Sequence, residues 1–348
     1  MQASIKLYYS PGACSLAPHI LLRETGQPLS WSAVIGTIIA QSRRELGWMA
    51  FVTVFIFVIW MYQVRLLIAL MLGLKSFSSL REFLLAVWRG PFGPASLILL
   101  GLCLALAILG PWIAPYDPTA RTYDAAGKLV RLAAPSWNHW LGTTILGRDV
   151  FSQMLVGARP ALLVGGLTAL GTVVIGVNIG LIAGYFGGRI DAFLMRVTDV
   201  FLGLPFLPFI IVVLSMTGRS LSTLVLAMTL VMWRSTARVV RAQVLSLREM
   251  PFVAAARITG ASDMTILYRE IAPNVMPLAM VSIAFALAWA IITEASIGFL
   301  GFGDPNVISW GSIVYDAYAS QMMYRAPWWV IPPGVAIMIL VSAVYVVG

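Results

Sequence analysis

LSLREMPFVAAARITGASDMTILYREIAPNVMP, residues 245–277, is the stretch that decides how this chain is read. It is polar, rich in helix formers and flanked on both sides by long apolar segments. A membrane protein that keeps such a piece between two spans offers it to a partner in water. Val253, Ala254, Ala255, Ala256 and Arg257 favour a helix. Gly260 breaks the run, since glycine takes the left-handed conformation that ends helices. Ala261, Ser262 and Asp263 then supply a cap for a second short helix. The expectation is two short helices meeting at a glycine on a membrane face.

Composition fixes the setting. Of 348 residues, 60% are hydrophobic and only 11% charged, against roughly 25% charged in a soluble domain. No water-soluble fold of this size hides so much apolar surface, so the chain is expected to be an all-α polytopic membrane protein. Its 23 Lys and Arg against 14 Asp and Glu suit basic cytoplasmic loops better than nucleic-acid binding. Cys14 and Cys103 make no disulfide framework, and His19 and His139 are too few for a histidine metal cluster.

Working outward from residues 245–277, the helix before the stretch starts at Ser220 and carries Arg234, Arg238, Arg241 and Arg248 on one face. That face either anchors the chain at the inner surface or also meets an acidic partner. Residues 271–293 form the next span, closed by Glu294, which is expected to face a cavity or pore end. Residues 326–348 form the last. Upstream, residues 90–116 form the first core span and 160–188 the second, with Ala161, Gly165, Ala169 and then Gly176, Gly180 and Gly184 at four-residue spacing for close helix packing. Residues 200–218 form the third, kinked by Pro205 and Pro208. Positive charge agrees with this count. Arg189, Arg196 and the block from Arg234 to Arg269 all fall inside.

The motifs then carry a resemblance. The small residues Ala255 and Ala256, Gly260, and Ile271-Ala272-Pro273-Asn274 resemble the cytoplasmic "EAA" loop of ABC importer permeases, in particular the second permease of the dipeptide, oligopeptide and nickel group. Ala254 stands where that family has its glutamate. WLGTTILGRDVFSQMLVGAR, with Gly142, Gly147, Arg148 and Asp149, resembles the family's outer signature, with Thr144 in place of an aspartate. Glu294 and Gly301, in EASIGFLGFGDP, resemble another outer segment, as does SWGS at residues 309–312. Within the outer signature, Arg148 and Asp149 are expected to pair and order the entry to the second span.

The resemblance covers residues 81–348 and implies the six-span transmembrane domain of a type I importer in a bacterial inner membrane. It implies a docking loop made of Ala254, Ala255, Ala256, Arg257, Gly260, Ala261, Asp263, Ile271 and Pro273. It also implies a second homologous permease, two ATPase subunits and a periplasmic or lipoprotein substrate-binding protein, in a lipid membrane. Relatives carry peptides, nickel chelates or glutathione. Family members continue past the last span into a basic tail, so the chain reads as truncated. No Gly-x-x-x-x-Gly-Lys-[Ser/Thr] loop occurs, so ATP and Mg are expected on a partner, not on this chain, which is no enzyme. A secondary transporter is the weaker alternative, because mid-span carboxylates are nearly absent.

Two segments precede this domain. Residues 1–30 resemble the first strand and helix of bacterial glutathione S-transferases, with Cys14 and Ser15 near the thiol site. Alone they cannot bury a core and are read as a fragment without transferase activity. Residues 31–80 are accessory. Within them 46–74 form either an extra tilted span or an interfacial helix around Arg65. An amphipathic helix is expected over 76–90.

Overall fold

The computed structural model describes residues 87–347. The readings of residues 1–30 and 46–74, and most of that of 76–90, lie outside the described residues. Nine helices carry the described part: α1 (Gly93–Ile113), α2 (Val150–Phe186), α3 (Gly188–Gly203), α4 (Phe206–Thr217), α5 (Leu221–Leu247), α6 (Pro251–Ile258), α7 (Asp263–Phe299), α8 (Trp310–Ala319) and α9 (Pro327–Val347). Five of these are long and apolar enough to cross a membrane, and the bent pair α3–α4 meets the same criterion when its two helices are taken together as one broken span. The described residues are therefore those of a helical membrane protein with five spans, or six with the bent pair counted as one, in line with the expected six-span domain.

The chain ends sort by contact. At one end Trp310 Nε1 donates to the Met154 carbonyl (3.0 Å) and Arg219 Nη1 to the Gly301 carbonyl (2.9 Å). At the other, Arg248 Nη1 donates to the Gly184 carbonyl (3.1 Å) and Tyr185 to Asp263 (2.7 Å). The alternation is the one the basic residues demand, with the first end outside.

Lipid is as apolar as a leucine, so helices in it associate by packing rather than by expulsion of water. The small residues of α2 serve that purpose. A Cβ on Gly180 would stand 2.7 Å from the Ala237 carbonyl oxygen, and one on Gly184 would stand 2.7 Å from Val244. Only glycine lets α2 and α5 lie this close. Lower in α2, Gly165 fits against Leu287 and Ile291 of α7. An inner cluster joins Leu181, Val240, Val244, Val253, Ile266, Leu267 and Ile271, and an outer cluster joins Val150, Ile291, Trp310 and Trp329.

Three sequence expectations are corrected. The third span is not one kinked helix over 200–218. α3 and α4 meet at 84° around Leu204 and Pro205, and the crossing starts at Gly188. Pro205 and Pro208 cannot donate to the carbonyls four residues earlier, so the helix breaks there. The second short helix of the elbow is not separate either. Asp263 opens α7, which runs through a π-helical segment, Ile266–Ile271, straight into the fifth span. Pro273 has no N–H to give to Arg269, and the wider π ring, Ala272 N–H to the Leu267 carbonyl, takes up the mismatch. Finally, α2 begins at Val150, ten residues before the apolar run, because Asp149 caps it.

Candidate functional site: an inner elbow and a buried polar face

α6 lies between α5 and α7 and buries one side chain, Val253. Phe252, Ala254, Ala255, Arg257 and Ile258 are exposed, Ile258 to 87%. The helix ends in a Schellman motif. The Ala261 N–H reaches the Ala256 carbonyl (3.1 Å) and the Gly260 N–H the Arg257 carbonyl (3.0 Å). Gly260 has φ +81°, and nothing lies within 4 Å of where its Cβ would be. Backbone conformation, not lack of room, therefore reserves this position for glycine. Ser262 accepts from the Thr265 N–H (3.3 Å), which is the cap read from the sequence.

The elbow is tied back to α2. Tyr185 Oη donates to Asp263 Oδ1 (2.7 Å), the Arg257 guanidinium lies over the Tyr185 ring at 5.7 Å, and Tyr268 Oη reaches Asn178 Oδ1 (3.0 Å). Of the residues assigned to the docking loop, Ala254, Ala255, Arg257 and Gly260 share the exposed surface, and Ala256 and Ala261 are half-buried. Asp263 is a linking residue. Ile271 is fully buried and Pro273 shapes the joint. Tyr185 had no signal in the sequence, since it sits at the end of an apolar run with its partner 78 residues away.

The arginine face of α5 is largely neutralised within the chain. Arg241 pairs with Asp191 and Arg238 with Asp199, both on α3. Arg248 reaches Glu249 (2.9 Å) besides Gly184. Arg234 donates to the Val231 carbonyl (2.7 Å) and lies over the Phe206 ring (5.9 Å). Among the described residues no carboxylate lies within ion-pair distance of it.

The outer motif residues form a scaffold. Asp149, 1% exposed, accepts from the Ser152 N–H (2.8 Å), the Ser152 hydroxyl (2.7 Å) and His139 Nδ1 (2.9 Å). The expected Arg148–Asp149 pair is thus replaced by a His139–Asp149 pair. Arg148 projects elsewhere, with a buried Nε. Gly142 and Gly147 turn the loop with positive φ, and Gly301 does so after α7. Glu294 is 3% exposed and lies against Ser309, turned away from lipid into the protein.

The family described as binding-protein-dependent transport system inner membrane component matches residues 176–348, and a family of predicted integral membrane proteins matches 21–114. The chain is 34% identical over 275 residues to the oligopeptide transport system permease protein OppC of Bacillus subtilis, covering 79% of this chain and 88% of that one. It is 34% identical over 269 residues to the glutathione transport system permease protein GsiD of Pectobacterium atrosepticum, covering 77% and 87%. A solved structure of the MetNI methionine ABC transporter aligns with TM-score 0.45 and 20% identity over 55% of this chain and 91% of that one.

Proposed function

Because the chain belongs to the inner-membrane permeases of binding-protein-dependent transport systems, and is thus a permease subunit of an ABC importer, we propose that it forms half of the path for short peptides and is driven through α6 by a separate ATPase. The observation that carries the reading is the elbow. An eight-residue helix with one buried side chain shows Phe252, Ala255 and Ile258 to water. Such apolar exposure marks a protein contact. Peptide cargo is supported by relatives named for oligopeptide and dipeptide transport. A second permease, two ATPase subunits with their ATP and Mg, and a substrate-binding protein complete the assembly.

The mechanics follow from the ties. The ATPase dimer closes and displaces α6. The Tyr185–Asp263 bond and the buried Val253, Ile266 and Leu267 carry that displacement into α2, α5 and α7 as one body. These spans tilt and the path changes its open side. A solute biases the change only through unequal affinity for the two states.

A single cysteine at Ile258, with Cys14 and Cys103 replaced, tests this in reconstituted vesicles. It is expected to cross-link to the ATPase subunit, and dipeptide uptake is expected to require ATP. Uptake without ATP, or a cysteine at Ile258 that never reaches the ATPase, overturns the assignment.

A further inference from the structure

Arg234 stands at the midpoint of α5, Leu221–Leu247. That helix is about 40 Å long at about 1.5 Å per residue, against a hydrocarbon layer of about 30 Å. Even if all the surplus lies on the inner side, Arg234 stays about 10 Å inside the hydrocarbon. It does not escape by snorkelling, because Nη1 is bonded to the Val231 carbonyl one turn back, toward the outer side. A guanidinium has five N–H donors, and its Nε is buried without a partner among the described residues.

The surroundings are polar on one side only. The exposed side chains of α5 in its outer half are Ser222 at its very start, then Leu226 and Leu230. In its inner half, turned about 80–180° around the helix from Leu230, they are Ser235, Arg238, Val239, Ala242 and Ser246. Arg238 and its partner Asp199 have side chains 51% and 55% exposed. A half-exposed ion pair inside a span does not face lipid. The outer-half face therefore suits lipid, and the inner-half face suits a water-filled passage.

The break in the third crossing lies at the same level. Phe206, the first residue of α4, lies under the Arg234 guanidinium. Irregular backbone at membrane depth is tolerated where it lines a cavity or is buried in protein. The break and the arginine are separate features of the sequence, and the fold brings them together.

We propose that Arg234 is a carboxylate-receiving station in the translocation path, with the Arg238–Asp199 pair lining the wall just inside it and the α3–α4 break framing it. Charge chooses the ligand. Arg238 is neutralised by Asp199 and Arg241 by Asp191, which leaves the charge of Arg234 for the anionic end of a passing solute. A planar guanidinium holds a carboxylate by two parallel hydrogen bonds. The C-terminal carboxylate of a peptide has this chemistry. The proposal rests on the permease reading above and adds a residue and a ligand group to it.

The test uses the full complex in vesicles, with dialanine as the solute. Arg234→Gln is expected to lower ATP-dependent uptake at least tenfold, while ATP hydrolysis stimulated by the binding protein stays within twofold. Arg234→Lys, which keeps the charge but loses the paired hydrogen bonds, is expected to fall between the parent and Arg234→Gln in uptake. Unchanged uptake by Arg234→Gln overturns the proposal. Should that variant also lose ATP hydrolysis, a second measurement decides. A cysteine at Ser235, with Cys14 and Cys103 replaced, is expected to react with anionic sulfonatoethyl methanethiosulfonate at least ten times faster than a cysteine at Leu226, and more slowly during dialanine transport. Equal rates at the two positions overturn it. A parent complex without ATP-dependent uptake would count against the permease assignment itself, which is a different failure.

Discussion

At its outer end α2 starts on Asp149, 1% exposed and bonded to Ser152 and His139. At its inner end it stops beside an elbow in which α6 buries Val253 alone and Gly260 meets nothing. The outer end is closed upon itself. Trp310 bonds to the Met154 carbonyl, and a Cβ on Gly311 would stand 2.3 Å from the Ala295 carbonyl oxygen. The inner end leaves apolar side chains of α6 exposed and keeps its order by few, specific ties. A membrane protein that must be moved by a partner needs this asymmetry: a frame at one end and a handle at the other.

The largest expected effect is at the frame. Asp149→Ala removes a helix cap, costing up to about 2 kcal/mol, and deprives His139 and the Ser152 hydroxyl of a charged acceptor. A loss of about 3 kcal/mol is expected, read as a lower thermal midpoint of the purified protein. Asp149→Asn, which can still cap, is expected to lose less. Equal stability of the Ala variant would erase the contrast between the two ends.

At the handle the effects are smaller and local. Gly260→Ala forces an L residue to φ +81°, at about 1–2 kcal/mol. The site has room for the methyl, so the cost is conformational and the helix end frays. Faster amide exchange at Ala261 and Ser262, with the global midpoint nearly unchanged, is the expected signature. Tyr185→Phe removes the bond to Asp263, half-buried and to a carboxylate, at about 1 kcal/mol. It is expected to lower dipeptide uptake per ATP more than it lowers the thermal midpoint. Uptake per ATP equal to the parent's would show that this tie carries no coupling between the elbow and the spans.

These residues also show what the sequence could reveal. Gly260, Ser262 and the α2 glycines were legible because their demands are local: a positive φ, a cap three residues ahead, a spacing of four on one helix. The six crossings were legible because each is a long apolar run, apart from the third. There the prolines marked a kink, but a 12-residue α4 is too short to cross alone, and the amphipathic α3 carries charges that hid its membership of the span. The ties across the fold were not legible. His139 lies 10 residues from Asp149, and Asp191 lies 50 residues from Arg241. Nothing in either neighbourhood announces the partner. One helix seen without α3 beside it offers its arginines an inner-surface anchor or an acidic partner as roles, but not the carboxylates of α3.

The smallest effect sharpens the comparison from the outer side. Asp117 follows α1, and its Oδ1 accepts from the Thr119 hydroxyl (2.6 Å) and the Thr119 N–H (2.8 Å). The hydroxyl bond first, and the backbone bond second, hold its carboxyl below the ordinary 3.8. A depressed folded pKa means that the ionised form favours the folded loop. That contribution is complete above the unfolded value and is lost as pH falls through the lower, folded one. The Asp117–Thr119 turn is therefore expected to be indifferent to pH from 5 upward and to loosen only in acid, below about pH 4. Asp117→Asn is expected to flatten the fall of the thermal midpoint between pH 5 and pH 3, and Thr119→Ala to flatten part of it. The carboxylate is fully exposed, so water already solvates it well and the change is small. If Asp117→Asn left the acid slope as steep as in the parent, this turn would have no part in holding the frame, and the buried Asp149 cluster would carry that end alone.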